Sequence, residues 1–250
     1  MNEDTRIGGS KDKFPMTRLS AVVAAKSPDV AEKSRAFEIL IAAYWKPAYK
    51  YVRVKWNKSN EDAKDLAQGF FSTAMEKGFF DRYDPAKARF RTFLRVCIDG
   101  FVANEEKAGG RIKRGGSTPT VSLDFAGAEE EFSSEIRDPS QSVEEYFETE
   151  WVRNLFALSI EELYRNMEKQ GKSIHFQLFQ KYDLQDRTEG EKVTYEQLAQ
   201  EFSLPLTDVT NYLAFVRREF RRIALENLRA LSATDEEYRE EAQALFGVSP

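Results

Sequence analysis

Val193-Thr-Tyr-Glu-Gln-Leu-Ala-Gln-Glu-Phe-Ser-Leu-Pro-Leu-Thr-Asp-Val-Thr-Asn-Tyr-Leu213, running into Arg217, Arg218, Arg221 and Arg222, is the stretch on which the fold turns. Two helical segments are legible in it, Tyr195 to Phe202 and Leu206 onward, with a turn between them. Pro205 suits helix entry, because its φ is already helical and its missing N–H would have no intrahelical acceptor. Leu198, Ala199, Phe202, Leu204, Val209 and Leu213 supply the packing between the two helices, Ala199 being small where they approach most closely. This is a helix-turn-helix pattern, whose second helix lies in the DNA major groove. Thr207, Asp208, Thr210, Asn211 and Ala214 project from the first turns of that helix. Asn can read adenine and Thr can contact phosphate or a thymine methyl, while Arg217, Arg218 and Arg221 can hold phosphates. Asp208 would be repelled by DNA unless it takes a cytosine amino group or a neighbouring arginine. The plainer alternative is a helical hairpin whose arginines form a solvated face.

Outward from this stretch, helical periodicity dominates. Toward the N-terminus, Ser142-Val-Glu-Glu145 is a capping-box pattern that opens a helix carrying Tyr146, Trp151, Leu155, Leu158 and Leu163. Lys172 to Tyr182 forms another helix and Asp183 to Lys192 is polar turn material. After the long helix from Leu206 to Leu231, a last acidic helix is expected near Asp235 to Phe246. In the first half, a short helix is expected from Thr17 to Lys26 and a longer one from Val30 to Trp56, which Pro47 should kink or split. Ser59-Asn60-Glu61-Asp62 starts a helix that stops at Gly78, Phe79 to Arg89 reads as a loop, and Phe90 to Lys107 as a helix stopped by Gly109-Gly110. No strand pattern of useful length and no internal repeat is present.

The formal charge of −5 is unevenly spread over the 250 residues. From Lys87 to Arg114 the bases Lys87, Arg89, Arg91, Arg95, Lys107, Arg111, Lys113 and Arg114 face only Asp99, Glu105 and Glu106. From Asp124 to Glu150 the sign reverses, with Arg137 the lone base. A nucleic-acid-binding chain needs a local positive face rather than a positive total. Next to that basic run lie Phe79, Phe80, Tyr83, Phe90, Phe93 and Phe101. Aromatic faces can stack on unpaired bases while cations follow the backbone. Phe93 and Phe101 read as core, whereas the loop at Phe79 to Arg89 is less committed to helical packing.

In this order and spacing the chain resembles a bacterial RNA polymerase sigma factor of the extracytoplasmic-function type. Glu61-Asp-Ala-Lys-Asp-Leu-Ala-Gln-Gly-Phe-Phe71 is similar to the acidic-polar helix with which such factors grip the polymerase clamp, which implies polymerase contact for Asp62, Asp65, Gln68 and Ser72. The loop and the Phe90–Lys107 helix resemble the elements that open and read the minus-ten region, implicating Phe80, Arg82, Tyr83, Lys87, Arg89, Arg91 and Arg95. The C-terminal motif resembles the region that reads the minus-thirty-five element, implicating Thr207, Asp208, Thr210, Asn211, Arg217, Arg218 and Arg221. Tyr44-Trp45-Lys46-Pro47 and Lys113-Arg-Gly-Gly116 are similar to one branch of the family. Two positions depart from its pattern: Asp99-Gly100 replaces a basic or polar pair, and Ser203 replaces the turn glycine.

The expectation is therefore an all-α protein of two helical domains joined by a flexible acidic linker. Residues 1–15 form a leader, 16–115 the first domain, 116–141 the linker, 142–231 the helix-turn-helix domain and 232–250 an acidic tail. Core RNA polymerase and promoter DNA are the implied partners, with an anti-sigma protein or a regulatory kinase left open. The rival readings are a regulator that binds duplex DNA without replacing sigma, and a helical protein-interaction adaptor. No catalytic residue, cofactor or metal site is expected: His175 reads as a helical surface or half-buried residue, Cys97 as a buried small hydrophobe, and no phosphate-cradling glycine loop is present. Met1 to Pro15 lacks a signal-peptide apolar run and no segment approaches the roughly 20 apolar residues of a membrane span, so a cytoplasmic protein is expected.

Overall fold

The computed structural model describes residues 20–109, 123–185 and 193–248. Every regular element among them is helical. In chain order these are α1 (Ala21–Ala24), α2 (Val30–Lys55), α3 (Asn60–Glu76), α4 (Phe90–Lys107), α5 (Phe125–Ser134), α6 (Val143–Lys169), α7 (Ser173–Phe179), α8 (Tyr195–Glu201), α9 (Leu206–Leu231) and α10 (Asp235–Phe246). A 3₁₀ turn at Phe79–Arg82 follows α3, and a π turn at Gln180–Leu184 follows α7. The leader, the Thr17 start expected for the first helix and Lys113-Arg-Gly-Gly116 lie outside the described residues. No described helix is long and apolar enough to cross a membrane.

Local chemistry sets the helix ends. Ser59 Oγ accepts the Asp62 backbone N–H to open α3, and Gly78, at φ +59°, takes the left-handed conformation that closes it. Ser142 and Glu145 form the full reciprocal capping box at the start of α6. Thr194 and Gln197 repeat that arrangement at α8.

Two hydrophobic clusters organise the packing. The first is built on the aromatic face of α2: Phe37 stacks on Phe80 with centroids 5.0 Å apart, Tyr44 meets the edge of Phe90 at 5.6 Å, and Tyr51 meets Phe147 at 5.3 Å. The second gathers Leu163 and Met167 of α6, Phe176 and Phe179 of α7, Leu198 of α8, and Val209, Leu213 and Val216 of α9. The long helices α6 and α9, of 27 and 26 residues, are each about 40 Å from end to end and enter both clusters. Trp151 and Leu155 from the first half of α6, and Leu228 and Leu231 from the end of α9, belong to the α2 cluster. Residue 142 thus opens a helix whose first half packs with the N-terminal elements.

Pro47 lies inside α2, yet the helix runs unbroken from Val30 to Lys55 rather than splitting. Proline has no N–H for the carbonyl four residues earlier, which here is Ala43. The buried Asn154 of α6 replaces the missing donor: its Nδ2 donates to Ala43 O at 2.8 Å and to Ala42 O at 3.0 Å. One side chain therefore satisfies the backbone defect and docks α6 against α2.

The segment expected as a flexible linker contains α5, docked on α2. Phe125 packs edge-on against Trp45 and Tyr49 at 5.0 and 5.5 Å, and Ala128 is fully buried. Glu129 and Glu131 reach Arg53, Lys46 and Lys50, so two acids of the run are met by the basic edge of α2 while Glu130 faces solvent. Burial alone would raise the Glu131 carboxyl, but Lys46 and Lys50 outweigh it and hold the group below the usual carboxylate range. Lys50 also pairs with Glu150 of α6 at 2.7 Å, both side chains being almost wholly buried.

Candidate nucleic-acid interface

The α8–α9 connection is a Schellman turn. Leu204 N donates to Ala199 O at 2.9 Å and Ser203 N to Gln200 O at 3.3 Å, with Ser203 left-handed at φ +52°. A glycine would take this conformation without strain. Ser203 takes it because the following Leu204-Pro205 must turn sharply into α9.

On α9, Val209, Leu213 and Val216 are buried against the second cluster. The opposite side is solvent. Thr207, Asn211, Ala214, Arg218 and Arg221 are all exposed, and their alternating spacings of four and three residues place them in one stripe along the helix. Arg218 and Arg221 enter no ion pair among the described residues, so their charge is available to an anion. Thr210 is exposed as well, with its hydroxyl bonded back to Leu206 O at 3.0 Å.

The other two predicted positions of this motif have structural work. Arg217 holds Asp183 through two of its nitrogens, at 3.0 and 2.9 Å, and donates to Tyr195 Oη at 3.1 Å. It braces the π turn and α8 onto α9, and the hydrogen bond to Asp183 raises its pKa. Arg217, one of the positions expected at DNA, thus has its guanidinium engaged within the chain. Asp208 sits in the first turn of a helix whose N-cap, Pro205, offers no side-chain acceptor, and its negative charge complements the helix dipole there. Arg222 is occupied by Glu219 and Glu226 on its own helix.

On α3, Ala63, Leu66, Ala67, Phe70, Phe71 and Ala74 are buried. Asp62, Asp65, Gln68 and Ser72 lie off that stripe, with Asp62 exposed and the other three half-buried. They form one polar face, in which Asp62 also accepts from Ser59 Oγ at 2.8 Å.

The loop and the start of α4 differ most from expectation. Phe80 and Tyr83 are core residues, at 1% and 4% exposure, because the 3₁₀ turn rolls them under α2 and against Phe90. Burial pushes the Tyr83 phenol well above its ordinary range. Neither ring can stack on a base in this conformation. Arg91 is also buried: its guanidinium lies 4.5 Å from the Trp151 ring centroid, donates to Glu241 at 2.8 Å and pairs with Glu148. Arg95 pairs with Glu144, and Arg89 with Glu240 at 2.9 Å and with Glu241. Arg82 and Lys87 remain exposed, Lys87 with Asp84 at 3.6 Å. Asp99, the departure from the family pattern, accepts from Tyr51, Lys55 and Trp56 and so fastens α4 to α2.

Sequence reasoning missed Glu144, Glu148, Glu240 and Glu241 as the arginines' partners. For Glu144 and Glu148 the signal was the reversal of charge sign after Asp124, and for Glu240 and Glu241 it was the acidic character of the last helix. Burial pushes the Cys97 thiol up to about 11, so it is protonated at neutral pH. His175 is neutral there, its pKa lowered by burial and by Lys172, with its ring 3.8 Å from that of Tyr212. No cluster of metal-ligating side chains occurs among the described residues. No protein-family model, curated protein or solved structure matches the chain.

Proposed function

We propose that the chain is a transcription-initiation factor of the sigma type: it binds core RNA polymerase through the polar face of α3 and duplex promoter DNA through the exposed stripe of α9. The observation that carries the proposal is that stripe. Thr207, Asn211, Arg218 and Arg221 share one solvent face of a helix entered through a tight left-handed turn from α8. Such a face offers an adenine-reading amide and hydroxyls near the helix start, with phosphate-holding guanidinium groups farther along. The polar face of α3 supports the polymerase half of the reading, because a regulator that only binds duplex DNA has no use for it. In this account α8 and α9 act as a helix-turn-helix, and Arg82 and Lys87 are the exposed cations beside the minus-ten elements. Strand opening draws its energy from tighter binding to the open than to the closed promoter.

One observation favours the rival regulator. Arg89, Arg91 and Arg95 are all paired to carboxylates, whereas Arg218 and Arg221 of the α9 stripe are not among the described residues, and a duplex-binding regulator needs only the latter. Co-elution with purified core RNA polymerase separates the two. The sigma reading predicts a stoichiometric complex that Asp65→Ala/Gln68→Ala weakens at least about tenfold while duplex-DNA binding is unchanged. Absence of any complex with core refutes it.

A further inference from the structure

We propose that α10 is an intramolecular strap that occupies, with the carboxylates of Glu240 and Glu241, an arginine surface at the start of α4 that fits a nucleic-acid backbone; the inference rests on the nucleic-acid role proposed above. Glu241 Oε1 lies between two guanidinium groups, accepting from Arg91 at 2.8 Å and from Arg89. Glu240 takes the other terminal nitrogen of Arg89, Nη2, at 2.9 Å. An oxygen held between two arginines is also the arrangement in which guanidinium forks bind a phosphate. The carboxylates thus stand where a phosphodiester would, and the two cannot be present together.

The strap is placed to compete, and its outer contact is the one that can exchange. Only Ser232, Ala233 and Thr234 separate α9 from α10, so the carboxylates face the arginines at an effective concentration in about the millimolar range. Its apolar anchor is Ala242, fully buried, with Tyr238, Leu245, Phe246 and Val248 partly buried against the same cluster and Phe246 meeting the edge of Phe156 at 5.6 Å. The outer contact is exposed, with the Glu240 side chain at 67% and Arg89 at 43%, and is therefore open to exchange with a polyanion. Release of α10 frees Arg89 and leaves Arg91 with Glu148 alone, beside the exposed Arg82 and Lys87. The surface so uncovered is cationic and lies next to the α4 start, whereas the α9 stripe is untouched by the strap.

The test is fluorescence anisotropy on the full chain with two labelled probes, a plain duplex and the same duplex carrying an unpaired stretch. The variants are Glu240→Gln, Glu240→Gln/Glu241→Gln, and the double variant with Arg89→Gln. The strap predicts that the double variant binds the partly unpaired probe about three- to tenfold more tightly than wild type. Its dependence of log affinity on log salt steepens by at least about 0.7, the increment for one further single-strand phosphate neutralised. Glu240→Gln alone, at an exposed position, gives a smaller gain of the same sign, and Arg89→Gln abolishes the gain. The plain duplex gains in the same direction in the double variant, because the uncovered guanidinium groups meet the phosphates of either probe. If every chain binds the duplex but none gains on the unpaired probe, the strap is wrong and the function reading stands. A gain that survives Arg89→Gln also overturns the strap. If no chain binds either probe, strap and DNA reading fall together.

Discussion

Replacing Asn154 by Leu removes the donor that stands in for the N–H Pro47 lacks, and the cost can be worked from the geometry. Two hydrogen bonds disappear, to Ala43 O at 2.8 Å and Ala42 O at 3.0 Å. Ala42 O keeps the helical partner available to it from Lys46, so that bond costs about 1 kcal/mol. Ala43 O has no such alternative and is left buried without a donor, at about 1–3 kcal/mol. The sum, about 2–4 kcal/mol, is read by urea unfolding at equilibrium, and by a fall in Tm of about 4–16 °C at 2–4 °C per kcal/mol. The decisive comparison is the same substitution in a Pro47→Ala background. Alanine restores the N–H for Ala43 O, so both carbonyls then keep a helical partner and Asn154→Leu should cost about 2 kcal/mol, about 1 kcal/mol per bond, giving a coupling of up to about 2 kcal/mol between positions 47 and 154. An unchanged cost in the Pro47→Ala background would refute the compensation and leave Asn154 as an ordinary packing residue.

Lys50→Met takes the 2.7 Å partner from the buried Glu150, which keeps its pair with Arg153, and should destabilise by less than the about 3–5 kcal/mol of a fully orphaned charge, whereas Lys50→Met/Glu150→Leu recovers most of that stability in the same unfolding assay. Ser203→Gly relieves a left-handed serine at φ +52° and should raise stability by about 0.5–1 kcal/mol without altering duplex binding, as judged by thermal unfolding beside anisotropy. Arg218→Gln/Arg221→Gln should weaken duplex binding and flatten its log–log salt slope by about 1.8, or about 0.9 for each duplex phosphate no longer neutralised. Arg217→Gln should instead lower the melting temperature by freeing the π turn and α8, since its guanidinium is committed to Asp183 and Tyr195.

The helix ends were the most legible part of the fold. Capping is settled within four residues, so Ser59, Ser142 and the Asp235 start declare themselves without any tertiary partner. The α5 helix did not declare itself. Its ten residues include Gly127, and Phe125 and Ala128 acquire their meaning only against Trp45 and Tyr49, some eighty positions earlier. The all-helical class could be read from periodicity, but the sharing of α6 and α9 between two clusters could not, because periodicity gives a buried face and not the neighbour that buries it.

The candidate site divides in the same way. On α9, Thr207, Thr210, Asn211 and Ala214 were expected to project and are exposed, whereas Asp208 is half-buried. Near α4, the basic-aromatic composition was plain, but composition carries no direction. The 3₁₀ turn sends Phe80 and Tyr83 inward, and partners about 150 residues away neutralise Arg89 and Arg91. Arg217 shows the limit at a single residue: an arginine beside a helix-turn-helix pattern is suited to phosphate, and only the fold of the π turn reveals Asp183 as a partner for it.

The most direct test of the central claim is transcription in vitro from genomic fragments by purified core RNA polymerase, with and without the protein. The account predicts discrete start sites that appear only when the protein is added and that weaken with Asp65→Ala/Gln68→Ala or with Arg218→Gln/Arg221→Gln. If core polymerase initiates identically in its presence while the protein still binds duplex DNA, the sigma reading is contradicted and the chain is a regulator that works without replacing sigma.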